Sequence, residues 1–203
     1  MTVLSDLLQK VREGLDEPVP IVWSDTELLH YLQSGVALLW KLAVKTNPDM
    51  IARCDVVTVL KDEGSVKLPY EPLKLLFAKR EMDNRELTFV SFSSLPVSGQ
   101  GAPLYCSLTG RDMLRFSPVA SEDTGLVVYG VPQPPVLALE DESPFPYVAD
   151  ELLVDWALVK AYNRDEAIPQ MEMQYVQQHK TDLDMLFELR DPQVLTGQGP
   201  WVV

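Results

Sequence analysis

"WSDTELLHYLQSGVALLWKLAVKTNPDM", residues 23–50, is the stretch on which the reading of the fold turns. Ser24 and Glu27 have capping-box spacing: the hydroxyl satisfies a free amide at a helix start while the carboxylate reaches back. Behind them Leu28, Leu32, Val36, Leu39 and Ala43 recur at helical spacing. Thr46-Asn47-Pro48 marks the stop. Upstream, Val3, Leu4, Leu7, Leu8, Val11 and Leu15 form a helical stripe over residues 2–16, ended by Glu17-Pro18-Val19-Pro20.

Downstream of residue 55 the period changes. "DVVTVL" (55–60), "LKLLFAK" (73–79), "RELTFVSF" (85–92), "LYCSL" (104–108), "DMLRF" (112–116) and "LVVYGV" (126–131) are short β-branched or aromatic runs. Turn chemistry separates them at Asp83-Asn84, Gly99 to Gly101 and Thr109-Gly110, which predicts an antiparallel meander. Pro132, Pro134, Pro135, Pro144 and Pro146 then predict an extended crossing, because proline cannot donate to a ladder. The helical period returns over residues 146–166, with Ala149, Leu152, Leu153, Trp156 and Val159 on one face. A last helix is expected, capped by Asp165, with Pro169 in its first turn and Ile168, Met171, Tyr175, Leu183 and Leu186 as its stripe. The fold class expected is α+β: a helical bundle of two N-terminal and two C-terminal helices, with an antiparallel β insertion and an extended C-terminal tail. Its domains are a helical core (1–54 and 144–190), a β-rich insertion (55–143) and the tail (191–203).

A chain of 203 residues can bury one good-sized core, or fold as two small domains or one with an insertion. A hydrophobic content of 46% argues against disorder. The net charge of −13 disfavours adhesion to phosphate backbones, which depends on Lys and Arg displacing counterions. "MTVLSDLLQK" lacks the basic region and continuous apolar run of a signal peptide, and no run approaches bilayer length, so a soluble protein made in a cytosol, without membrane contact, is expected. Cys54 and Cys106 lie far apart without CxxC or paired His spacing; buried free thiols are expected, with one disulfide left open.

Catalytic signatures are sparse. There is no GxSxG, phosphate-cradling glycine loop or HExxH, and His30 and His179 are the only histidines, both expected at a core edge or on the surface. Glu151 and Asp155 are four apart and share a helix face, so with water they have the chemistry to hold a divalent cation. The stronger expectation is that Asp150, Glu151 and Asp155 favour the helix dipole and face solvent. No enzyme activity, metal or cofactor is therefore expected. Trp40 and Trp156 fall on core stripes, and Trp23 can staple onto Leu28. Trp201 has no such place: it follows Gly197 and Gly199 in "DPQVLTGQGPWVV" (191–203), and an apolar tip there is expected to dock on its own core or on a partner.

The segments "WSDTELLHYLQSGVALLWKLAVKTNPDM" (23–50), "LKLLFAKREMDNRELTFVSF" (73–92), "APLYCSLTGRDMLRFSPVASEDTGLVVYGVPQPP" (102–135) and "PFPYVADELLVDWALVKAYNRDE" (144–166) resemble, in that order, the head-to-tail adaptor (connector) proteins of tailed bacteriophages. The likeness spans about residues 20–190 and rests on the Asp-Glu-Leu helix opener, the "LRFSP" and "VVYGVPQPP" strands and the "KAYNRDE" corner. It implies a virion protein of the neck between head and tail. A homo-oligomeric ring, usually of twelve copies, would sit beneath the portal protein, extend the DNA channel and offer a platform to the downstream tail or nozzle protein. DNA would pass through without specific binding. C-terminal segments of the family commonly clasp the portal, which implies portal docking by Val194, Leu195, Pro200, Trp201, Val202 and Val203. An acidic lumen would repel the passing DNA, and ring closure would remove sheet edges. Trp201 alone would bury roughly 150–250 Å², about 4–6 kcal/mol gross, multiplied by avidity around a ring. The alternatives are a tail-completion or neck protein that does not touch the portal, a metal-assisted hydrolase built on Glu151 and Asp155, and a small regulatory module using the tail as a peptide ligand.

Overall fold

The computed structural model describes residues 2–96, 99–163 and 169–188, with side chains from 174 to 187 in the last segment. The chain divides into two compact units, one of residues 1–50 and 134–203 and one of residues 51–133.

In the first unit, α1 (Leu4–Gly14) buries Leu4, Leu7, Leu8 and Val11. No side chain caps its start. The free amides of its first turn are answered instead by the crossing segment: Leu4 N donates to Asp141 O at 2.9 Å and Ser5 N to Leu139 O at 2.9 Å, while Ser143 N donates back to Thr2 O at 2.9 Å. In α2 (Asp25–Thr46) the expected cap is present, Ser24 Oγ accepting from Glu27 N at 3.2 Å. The buried stripe of Leu28, Leu32, Val36, Leu39 and Ala43 follows the sequence spacing, and Trp40 meets Phe145 edge-on at 5.9 Å.

Helix α3 (Val148–Tyr162) packs on α2 where Gly35 offers no side chain; a Cβ there would stand 2.8 Å from Trp156 Cδ1 and 3.2 Å from Leu153 Cδ2. The indole Nε1 of Trp156 donates to Ser34 Oγ at 2.8 Å. Two further helices, α4 (Pro169–Gln178) and α5 (Lys180–Glu188), stand where one was expected. They part at His179, whose amide still donates to Tyr175 O at 3.0 Å and whose carbonyl accepts from Leu183 N at 2.9 Å. Tyr175 meets Trp156 edge-on at 5.1 Å and donates its hydroxyl to Leu152 O at 2.5 Å. Asn47 Nδ2 donates to Phe187 O at 3.0 Å, fastening the last turn of α5 to the end of α2. Asp165, Ile168 and the side chain of Met171 lie outside the described residues.

Among its described residues the second unit holds nine strands: β1 (Arg53–Val59), β2 (Ser65–Lys67), β3 (Pro72–Arg80), β4 (Thr88–Phe89), β5 (Gln100–Gly101), β6 (Tyr105–Thr109), β7 (Met113–Ser117), β8 (Val119–Ala120) and β9 (Thr124–Pro132). They form three sheets, in the orders β1-β9-β3, β2-β7-β6-β4 and β5-β8. Val57, Ala78, Leu126 and Val128 from the first sheet share one core with Cys106, Leu114 and Phe116 from the second. The β6–β7 hairpin turns at Gly110, whose φ of +65° suits glycine, and Asn84 takes φ +54° in the turn after β3. Both turn sites carried sequence signals.

The expected helical bundle with an antiparallel β insertion is overturned by these strands and sheets. Five helices stand beside nine strands among the described residues. The meander is overturned too: β9, last in the chain, lies between β1 and β3, and the β4–β6 and β5–β8 pairs are parallel. The physical reason is that alternation says which face of a strand is buried, whereas partner choice is made by the shared core. β9 has two flanking partners and the fullest alternation of buried positions, so it takes the centre.

Both cysteines are free, Cys106 buried as expected but Cys54 exposed. Burial, with Glu86 nearby, pushes the Cys106 thiol up to about 12. Since the thiolate is the reactive form, native protein is expected to release one equivalent of chromophore from an aromatic disulfide reagent at pH 8, and two after denaturation. Two equivalents from the native protein would contradict this burial.

Candidate functional site

The residues expected to dock on the portal, Val194, Leu195, Pro200, Trp201, Val202 and Val203, lie outside the described residues. The described part of the helical unit offers two other surfaces.

The first is a cleft of about 170 Å³ lined by Val148, Glu151, Leu152, Asp155, His179, Asp182 and Met185. It brings Asp182 and Met185 of α5 beside the Glu151 and Asp155 of α3. The His179 ring tilts against Tyr175 at 4.6 Å and stands between two carboxylates, its Nε2 3.7 Å from Asp155 Oδ2 and its Nδ1 3.6 Å from Asp182 Oδ2. Burial, with Asp155 and Asp182 nearby, raises the Tyr175 hydroxyl above its ordinary value. Asp182 is three residues on from His179, and i,i+3 on a helix is a neighbour relation. Asp155 belongs to another helix, and no local signal announces it.

Glu151 is exposed and Asp155 partly so. Among the described residues, no group of three or more His, Cys, Asp or Glu is placed to hold a metal ion. Asp150 departs from the expectation of facing solvent: it is 1% exposed and accepts a hydrogen bond from Thr2 Oγ1 at its Oδ2. Thr2 is 148 positions away in sequence, so burial of this carboxylate depends on the α1–α3 contact. His30 is exposed, as expected of a surface histidine.

The second surface is the α1–α2 loop, built around two buried charges. Arg12, 3% exposed, donates Nε to Asp25 Oδ1 at 3.0 Å, Nη2 to Trp23 O at 3.1 Å and Nη1 to Glu17 O at 3.4 Å. Glu17 Oε1 accepts from three successive amides, Ile21 N, Val22 N at 2.5 Å and Trp23 N at 3.3 Å. The loop so held leaves Val19, Ile21 and Val22 exposed by 62%, 84% and 56%. Single exposed apolar residues are ordinary; here three fall on one clamped loop.

Burial alone would raise the Glu17 carboxyl, but the three amides and the Arg12 guanidinium outweigh it and hold the group below its ordinary value. The linkage sign follows. A depressed folded value contributes stability above the unfolded value, about 4.3 for glutamate, and that contribution is lost as pH falls through the folded value. Acid titration below about pH 4.3 is therefore expected to loosen the α1–α2 loop, followed by amide exchange at Ile21 and Val22. Glu17→Gln is expected to flatten that acid dependence, and an unchanged profile in the variant would remove Glu17 from the account.

The model of the SU10 adaptor protein family matches residues 1–202. The chain belongs to this family of phage head-to-tail adaptor proteins and is a bacteriophage structural protein, a component of the virion that associates with head and tail parts. No curated protein matches the sequence. Among the described residues no helix is long and apolar enough to cross a membrane.

Proposed function

We propose that the chain assembles as a ring, of twelve copies as the sequence resemblance implies, that docks beneath the portal, extends the DNA channel and carries the attachment platform for the tail. The observation that carries this reading is the family match over residues 1–202, which takes in the helical unit, the strands and the C-terminal segment together. Charge supports it. At −13, the chain repels phosphate, so DNA held by such a ring slides during ejection instead of adhering. The segment 191–203, with Val194, Leu195, Pro200, Trp201, Val202 and Val203, supplies the portal grip, and twelve modest grips acting together make a strong one.

The test is capture from an infected-cell lysate by the intact chain and by a version ending at Leu195, with the retained proteins identified by mass spectrometry. The intact chain is expected to hold the portal and the shortened chain to lose it. Retention of neither portal nor tail protein by the intact chain would overturn the reading.

A further inference from the structure

We propose that the cleft between α3 and α5 is a docking site for a Lys- or Arg-bearing segment of another protein of the phage particle; the inference rests on the adaptor reading and adds to it a surface and a partner chemistry. The floor is apolar and open: Val148 and Met185 are 52% and 53% exposed, with Leu152 between them in the lining. Around this floor stand the carboxylates of Glu151, Asp155 and Asp182.

His179 meets those acids only as an ion pair, and only when protonated. Its nitrogens are 3.7 and 3.6 Å from Asp155 and Asp182, beyond hydrogen-bond length, so both carboxylates keep acceptor capacity for an incoming donor. A volume of about 170 Å³ admits a side chain, and the side chains that combine an apolar stem with a cationic head are lysine and arginine. Their stems match Val148, Leu152 and Met185, and their heads reach the acids, the arginine fork doing so with two bonds. A wholly apolar occupant would bury these carboxylates unpaired, which is costly, and an acidic one would be repelled.

Charge also discriminates among sources. The segment 191–203 contains Asp191 and no Lys or Arg, so it does not match this rim. A second copy is the weaker match, since it sets 17 Lys and Arg against 30 Asp and Glu. A basic segment of a different particle protein meets neither objection.

The experiment is carboxyl labelling with a water-soluble carbodiimide and glycine ethyl ester, on the purified chain and on intact particles, read by peptide mass spectrometry. Glu151, Asp155 and Asp182 are expected to label in the isolated chain and at least about tenfold more slowly in the particle, as burial against a basic partner requires. Beside it, Glu151→Lys, a change at an exposed position, is expected to keep the helical circular dichroism and cut incorporation into particles at least about tenfold through like-charge repulsion. Equal labelling in both settings would overturn the docking site while leaving the adaptor reading intact, because the chain would still be in the particle. Protection combined with normal incorporation of Glu151→Lys would overturn the basic occupant. Absence of the chain from particles would instead defeat the adaptor reading on which this site rests.

Discussion

Replacing Trp156 with alanine is expected to cost the helical unit about 3–5 kcal/mol, the usual range for truncating a large buried aromatic. Three contacts place Trp156 in that range. Its indole Nε1 donates to Ser34 Oγ at 2.8 Å, its ring meets Tyr175 edge-on at 5.1 Å, and its Cδ1 fills the space that Gly35 leaves open. Truncation therefore opens a cavity among α2, α3 and α4 that these helices close only by moving. The Ser34 hydroxyl loses little in the exchange, since it still donates to Tyr31 O at 2.7 Å. A loss of this size is much of the stability of an ordinary domain. All five described helices lie in this unit, so the 222 nm signal reports on it, and urea unfolding followed there checks the effect. A midpoint within about 0.5 kcal/mol of the wild type, the scale of a surface substitution, would contradict the packing described.

The second large effect is expected at Arg12. Arg12→Leu keeps an apolar stem but strands what the guanidinium satisfies: the carbonyls of Glu17 and Trp23 and the carboxylate of Asp25. Asp25 is half-exposed and recovers in water, whereas Glu17 is buried beside the missing charge. Leaving buried polar groups without donors costs about 1–3 kcal/mol each, so a total of about 2–4 kcal/mol is expected after partial relaxation. The loss is local in form. Amide exchange at Ile21, Val22 and Trp23 is expected to rise at least tenfold, because the loop closes on Arg12 from one side and on Glu17 from the other. Unchanged exchange in these three amides would show that the loop stands without its clamp.

These two sites also show what the sequence makes legible. Ser24, three residues before Glu27, announces the start of α2, and the stripe behind it announces the buried face, because caps and periodicity are local chemistry. Trp156 as core follows from the same stripe. The break at His179, the place of β9 between β1 and β3 and the parallel pairs were not legible, since each depends on which surfaces meet after collapse. Asp150 shows the limit clearly: position in the first turn suggests solvent, and only Thr2, brought over by α1, gives the buried carboxylate a donor. The cleft was half legible. Glu151 and Asp155 stood out as a same-face pair, but Asp182 and Met185 of α5 join them only in the folded chain. The "EPVP" run at residues 17–20 suggested nothing beyond a helix stop, although Glu17 is the residue that organises the loop. Of the six tail residues, Trp201 stood out by composition, and the set came with the family resemblance.

The position we propose for this chain is the ring that joins portal to tail. Electron cryo-microscopy of purified particles, with the neck reconstructed without imposed symmetry, tests it most directly. The account predicts a ring of twelve copies of this chain, touching the portal on one side and a tail protein on the other, with the C-terminal segment against the portal. A neck without this chain, or the chain found only further down the tail, would contradict it.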